Sequence, residues 1–134
     1  MKKLALAAAL AASFATPSLA GQQSAAQAKF DRSLQHLDPM TRLEQICAIE
    51  TMARVHRDKN PHRPDRAVIY ALSSPKLEGD TVKGTGGAFR SRGKWYQYSF
   101  VCKTTPDHMK VSDFTYKIGQ PIPEDKWEAY GLHN

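Results

Sequence analysis

The chain is 134 residues long, 41% hydrophobic and 24% charged, with a formal net charge of +6 at pH 7. That length suffices for one domain and excludes two once a leader is removed. The charge is basic without being extreme. On an exported chain it excludes nucleic acid and leaves an anionic envelope component, such as acidic glycans or lipid headgroups, or a periplasmic protein as partner.

Export is read from residues 1–20. Met1-Lys2-Lys3 is a positive start, Leu4 to Ala15 an alanine- and leucine-rich apolar run, and Ser18-Leu19-Ala20 offers small residues where a signal peptidase reads them. Cleavage is expected after Ala20, delivering Gly21 to Asn134 to a bacterial periplasm; the alternative is a retained anchor. The apolar run is short for a bilayer span and no cysteine follows it to accept a lipid, so no integral membrane anchor is expected. Loss of Lys2 and Lys3 lowers the formal charge from +6 to +4.

Residues 21–36, rich in Gln, Ala and Ser, are expected to be a flexible lead-in with a helical turn or two over Gln27 to Leu34. A single domain is expected over residues 37–134. It starts at Asp38-Pro39, a capping side chain followed by a residue suited to the first helical position. From Met40 to His56 apolar residues recur at steps of three and four, Leu43, Ile46, Cys47, Ile49, Met52 and Ala53, which predicts a long helix with a stripe that faces a sheet. Glu50 and Arg54 are four apart and predict a modest surface pair. His56 to Arg66 is polar and twice interrupted by proline, hence a loop. Ala67 to Leu72 predicts a strand apolar on both faces. Ser73 to Gly87 carries Pro75, Gly79, Gly84, Gly86 and Gly87 and predicts a second loop, with a short edge strand at Thr81 to Lys83.

The stretch from Gly86 to Cys102 admits a parity test. As one unbroken strand it would set Arg90, Arg92 and Lys94 on the same face as Tyr96, Tyr98, Phe100 and Cys102. A turn at Ser91-Arg92-Gly93-Lys94, with Gly93 supplying unusual backbone angles, removes three cations from the apolar face. Two antiparallel strands with a cationic tip are therefore predicted. Val111 to Ile118 is the last strand, its Phe114, Tyr116 and Ile118 joining Tyr98, Phe100 and Cys102 beneath the helix. Ile122 to Tyr130 predicts a short terminal helix, with Pro123 early and Gly131 as the stop.

Cys47 and Cys102 are the only cysteines. An even pair on an exported chain reads as a disulfide, and one joining the helix stripe to the core face of a strand would lie where two layers meet. A redox pair would be closely spaced, and a metal site needs more ligands.

Read in order, Leu37-Asp38-Pro39, Thr41 to Gln45, Cys47, Glu50, Pro64-Asp65-Arg66, Tyr70-Ala71, Ala88 to Gly93, Trp95-Tyr96, Phe100, Cys102, Phe114, Tyr116, Ile118-Gly119, Ile122-Pro123, Trp127 and Tyr130 resemble the bacterial family catalogued as domain of unknown function 930. The resemblance covers Leu37 to Leu132. It implies a periplasmic domain of alphaproteobacteria, with no assigned activity, cofactor or catalytic residue.

The chemistry-bearing residues are sparse. His56 and His62 with Asp58 and Asp65 share one loop at spacings that match no standard metal site, so no metal and no cofactor are expected. A Ser91 or Ser112 hydroxyl served by His108 has no motif behind it, and Glu44 and Glu50 fall on different helix faces. The remaining candidate is the basic aromatic hairpin: Arg90, Arg92, Lys94, Trp95 and Tyr96, where cations grip phosphate or carboxylate and a ring stacks on a sugar or side chain. Its bland counterpart is a solvated hairpin end with a buried tryptophan. Arg42 and Arg66 are secondary, as partners of Glu44, Glu50 or Asp65. The expected fold is α+β: a long helix packed on an antiparallel sheet of about four strands, a short C-terminal helix and one disulfide. The expected function is a non-catalytic periplasmic binding or interaction module of the cell envelope; the alternative is a small secreted hydrolase acting on envelope polymers.

Overall fold

A computed structural model of the protein describes residues 12–13 and 19–134, with side chains beyond that first pair described from residue 24. Most of the expected leader, residues 1–20, lies outside the described residues. Two helices come first, α1 (Leu19–Gln35) and α2 (Pro39–Arg57), then β1 (Pro64–Val68), β2 (Lys76–Glu78), β3 (Thr81–Ser91), β4 (Lys94–Thr104) and β5 (Val111–Pro121). No helix among the described residues is long and apolar enough to cross a membrane.

The segment read as a lead-in with a turn or two of helix forms the 17-residue α1. Its last turn buries Leu34 in the core. The Arg42 guanidinium closes the junction, donating to the carbonyls of Leu34 and Leu37 at 2.9 Å and of Gln35 at 3.3 Å. A cation placed on the orphan carbonyls of a helix end satisfies them and opposes the helix dipole. The same side chain reaches Asp107 O at 2.9 Å, so the expected acidic partners of Arg42 are replaced by main-chain oxygens.

Asp38 caps α2, its Oδ1 accepting from the Met40 and Thr41 amides at 3.1 Å each. The Thr41 hydroxyl, which also donates to Asp38, and then these amides hold the Asp38 carboxyl below its ordinary pKa. Leu43, Ile46, Cys47, Thr51 and Val55 form the buried stripe. Arg54 does not pair with Glu50. It turns inward and donates to Phe114 O at 2.9 Å.

The sheet is antiparallel, in the order β1-β3-β4-β5, with β2 beside β1 on the same edge of β3. The expected loop over Ser73 to Gly87 is corrected: Lys76–Glu78 forms β2, and the glycine-rich stretch is strand. β3 runs unbroken through it, with a shift of register between Gly84 and Gly87. Those glycines are strand residues because side chains from elsewhere occupy the space of a Cβ. One built on Gly84 would stand 2.9 Å from Phe100 Cε1, and one on Gly87 2.6 Å from Tyr98 Cε1. The expected interior strand over Ala67 to Leu72 is also corrected. β1 ends at Val68 and lies at a sheet edge, and the apolar run continues as turns that send Ile69 to the helix side and Leu72 to the other.

Alternation along β3 and β4 feeds two cores. Phe89, Tyr98, Phe100 and Cys102 meet α2 and Leu34 on one face, together with Phe114. Ala88 and Trp95 meet Ile122, Trp127 and Leu132 on the other. That second cover is the C-terminal segment, whose short helix takes the form of two 3₁₀ turns, Glu124–Lys126 and Glu128–Tyr130. It is tied down by Ile122 N to Trp95 O at 2.8 Å and Trp127 Nε1 to Ile122 O at 2.9 Å.

Cys47 and Cys102 are bonded, with a Cα to Cα separation of 6.1 Å and 55 residues between them. Within β4, Cys102 stands opposite Val82 and Phe114 of its neighbours, so the bridge passes through the middle of the helix-side core. Closing a loop of that length removes about 4 kcal/mol of unfolded-chain entropy. Replacing both cysteines by alanine should lower the unfolding free energy by about that amount in a denaturant titration; an unchanged midpoint would show that the bridge does not constrain the fold.

Candidate functional site

The hairpin between β3 and β4 closes in the expected place. Ser91 and Lys94 are the last paired residues, and the two between them are both left-handed, Arg92 at φ 52° and Gly93 at φ 76°. Two successive positive φ values make the turn whose twist matches that of the strands, and its first position favours asparagine, aspartate or glycine. An arginine there costs about 1 kcal/mol in backbone sterics.

The five expected site residues do not share one surface. Arg90 and Trp95 are cross-strand partners on the face covered by the C-terminal segment. Arg90 donates from Nε and a terminal nitrogen to the two carboxylate oxygens of Asp65, each at 2.9 Å, and from its other terminal nitrogen to His133 O at 3.1 Å. The hydrogen bond from Arg90 holds the Asp65 carboxyl below its ordinary pKa and raises that of Arg90 in return. Trp95 is 1% exposed, and its Nε1 donates to His133 O at 3.1 Å. Its indole is a wall of the second core, with the Arg90 guanidinium 5.9 Å from the ring centroid.

Lys94 and Tyr96 lie on the opposite face. With Arg92, Pro61, His62 and Ser91 they border an open pocket of about 260 Å³. Arg92 and Lys94 are exposed, and neither side chain makes an ion pair or hydrogen bond among the described residues. Tyr96 is half-buried, stacked on Phe89 at 5.5 Å between centroids and met edge-on by His62 at 4.4 Å. Burial, then the positive charge of Arg92, pushes the His62 pKa down. The ring is therefore neutral at neutral pH.

His62, expected in a polar loop, is held in place. The Asn60 side chain pins it, donating to Val55 O and accepting from the His62 amide, each at 2.9 Å. Asn60-Pro61 was the available signal, since an Asx turn ahead of a proline fixes a loop.

The other chemistry-bearing residues are dispersed. The Asp58 carboxylate accepts the Tyr116 hydroxyl at 2.7 Å, and burial followed by Asp58 pushes the Tyr116 pKa up to about 12. His108 Nδ1 lies 2.9 Å from Pro39 O and its Nε2 faces Asp80 at 3.4 Å, so both nitrogens are engaged. Ser91 Oγ accepts the Arg63 amide at 2.8 Å, and Ser112 Oγ donates to Lys103 O at 3.2 Å. Among the described residues no three metal-ligating side chains converge.

The turn geometry has a direct test. Arg92→Asn should raise the unfolding free energy by about 1 kcal/mol in a denaturant titration, and a loss of stability would show that arginine is tolerated there without cost.

Searches of curated proteins and of solved structures found no match. A family profile, Domain of Unknown Function (DUF930), matches residues 34–132, from the buried end of α1 to the last residue of the second core. With the Cys47 to Cys102 bridge and the paired hairpin inside that span, the chain belongs to the DUF930 family.

Proposed function

We propose that this protein is a non-catalytic binding module of the bacterial cell envelope, working in the periplasm, which takes an anionic group at the end of the β3–β4 hairpin. One observation carries the reading. Arg92 occupies a left-handed turn position better suited to asparagine or glycine, and its charge stands beside a pocket in which it has no protein partner. Backbone cost held at a surface position without a structural return is a mark of use by a ligand.

The parts have separate roles. Arg92 supplies a planar guanidinium suited to two-point contact with phosphate or carboxylate, and Lys94 a mobile point charge. Tyr96 and His62 are the ring walls, held by Phe89. Arg90 and Trp95 fix the hairpin from behind. The hydrolase alternative needs His108 to serve Ser91 or Ser112. Its ring nitrogens are instead directed at Pro39 O and Asp80, and both serine hydroxyls bond to main-chain groups, which favours the binding reading.

The test uses pyrophosphate and a short oligogalacturonate as phosphate and carboxylate probes in calorimetric titrations. Saturable binding is expected, weakening with salt and falling about tenfold or more in Arg92→Glu/Lys94→Glu. An anion beside His62 stabilises the imidazolium, so the complex binds more protons than the free protein. For the oligogalacturonate, whose carboxylates stay ionised through this range, affinity should therefore rise as pH falls from neutrality toward the depressed pKa of His62 in the free protein, and His62→Gln should flatten that rise. Equal binding by the charge-reversed variant would refute the site.

A further inference from the structure

A second concavity lies away from the hairpin turn, between α2 and the β1–β2 edge. Two adjoining hollows, of about 410 and 360 Å³, share Glu44, Ile69 and Tyr70. Among the described residues five large hydrophobic side chains are exposed, and four of them, Met40, Ile49, Tyr70 and Leu77, border this groove. Apolar exposure gathered in one place marks an interaction surface rather than scatter.

Two further features specify what fits. β1 is an edge strand that pairs only with β3, and Asp65 to Tyr70 line the groove as six consecutive residues. Alternating side chains cannot all face one way, so the wall is the backbone edge itself, with outward amides and carbonyls open to pairing. In the middle stands Glu44, half-buried, with no ion pair or hydrogen bond from its carboxylate among the described residues. Burial, and then the charge of Asp38, raises its pKa. An unpaired acid on an apolar floor is complementary to a cation carried among apolar groups.

We propose that this groove takes an extended segment of a partner protein, which pairs with the free edge of β1, sets alternate apolar side chains against Ile49, Tyr70 and Leu77, and brings a lysine or arginine to Glu44. Main-chain pairing gives such a contact its affinity, and pockets for alternate side chains give it specificity. The other sheet edge, β5, lacks these features. Both edges carry a proline and a cation, Pro64 and Arg66 on β1, Pro121 and Lys117 on β5, but among the described residues no cluster of exposed large apolar side chains borders β5.

A random dodecapeptide library displayed on phage and panned on the immobilised protein tests this. Enriched peptides should alternate apolar residues and carry at least one lysine or arginine. As synthetic peptides they should slow amide exchange at residues 65–70 and bind at least tenfold more weakly to Glu44→Lys and to Ile49→Asp/Tyr70→Ser. The second variant changes only exposed side chains, and unchanged circular dichroism would show that both still fold. No enrichment, acidic or helix-periodic peptides, or undiminished binding to both variants would overturn the proposal. So would dependence on Arg92 and Lys94 instead, or a concentration-dependent dimer abolished by the same substitutions, which would assign the groove to a second copy. Dependence on Arg92 and Lys94 would move the peptide to the hairpin site; the other results leave anion binding there untouched.

Discussion

The Cys47 to Cys102 bridge is the constraint on which the rest of the structure depends. A 19-residue helix whose apolar stripe is interrupted by Thr51 and flanked by charges holds only one side of a sheet. The bridge fixes its place over β4, and Leu43, Ile46 and Val55 then meet Phe89, Tyr98, Phe100 and Phe114. Thr51 is accommodated by the same register, since its hydroxyl lies 3.1 Å from that of Tyr98 and donates to Cys47 O at 2.9 Å. Burial pushes the Tyr98 pKa well above its ordinary value, so the pair stays neutral and hydrogen-bonded inside the core.

The opposite face has no such staple and is closed by chain instead. From Pro121 onward the C-terminal segment crosses the hairpin, and Trp95, Trp127 and Ile122 make a smaller core. Covering both faces at one end of the sheet explains why Arg90 and Trp95 have structural duties. Their polar atoms meet at His133 O, and Arg90 ties that tail to Asp65 of β1. Of the hairpin cations, Arg92 and Lys94 make no ion pair or side-chain hydrogen bond among the described residues.

What was legible in the sequence was local or arithmetical. Asp38-Pro39 and the stripe behind it announce α2, parity places the turn at Arg92-Gly93, and an even pair of cysteines behind an expected export leader predicts their bond. What was illegible depends on partners far along the chain. Gly84, Gly86 and Gly87 read as a loop because a strand signal needs side chains, and here the side chains that fill the space belong to Phe100, Ser73 and Tyr98. α1 has little stripe of its own and is held by Leu34 and by Arg42, which bonds to four main-chain oxygens. The apolar run from Ala67 to Leu72 imitates a central strand because its residues serve two cores in turn. In the candidate site, the cations and the tyrosine were visible as a motif. The capture of Arg90 by Asp65, 25 residues away, and the arrival of His62 beside Tyr96 were not.

The hairpin end joins a backbone cost to an unsatisfied charge, and the central claim is that an anion completes it. The most direct measurement is a titration of the isotopically labelled protein with pyrophosphate, followed by amide chemical shifts. Saturable shifts concentrated at His62 and Arg92 to Tyr96, absent in Arg92→Glu/Lys94→Glu, are expected. Shifts concentrated elsewhere, or no saturable shift at all, would contradict it.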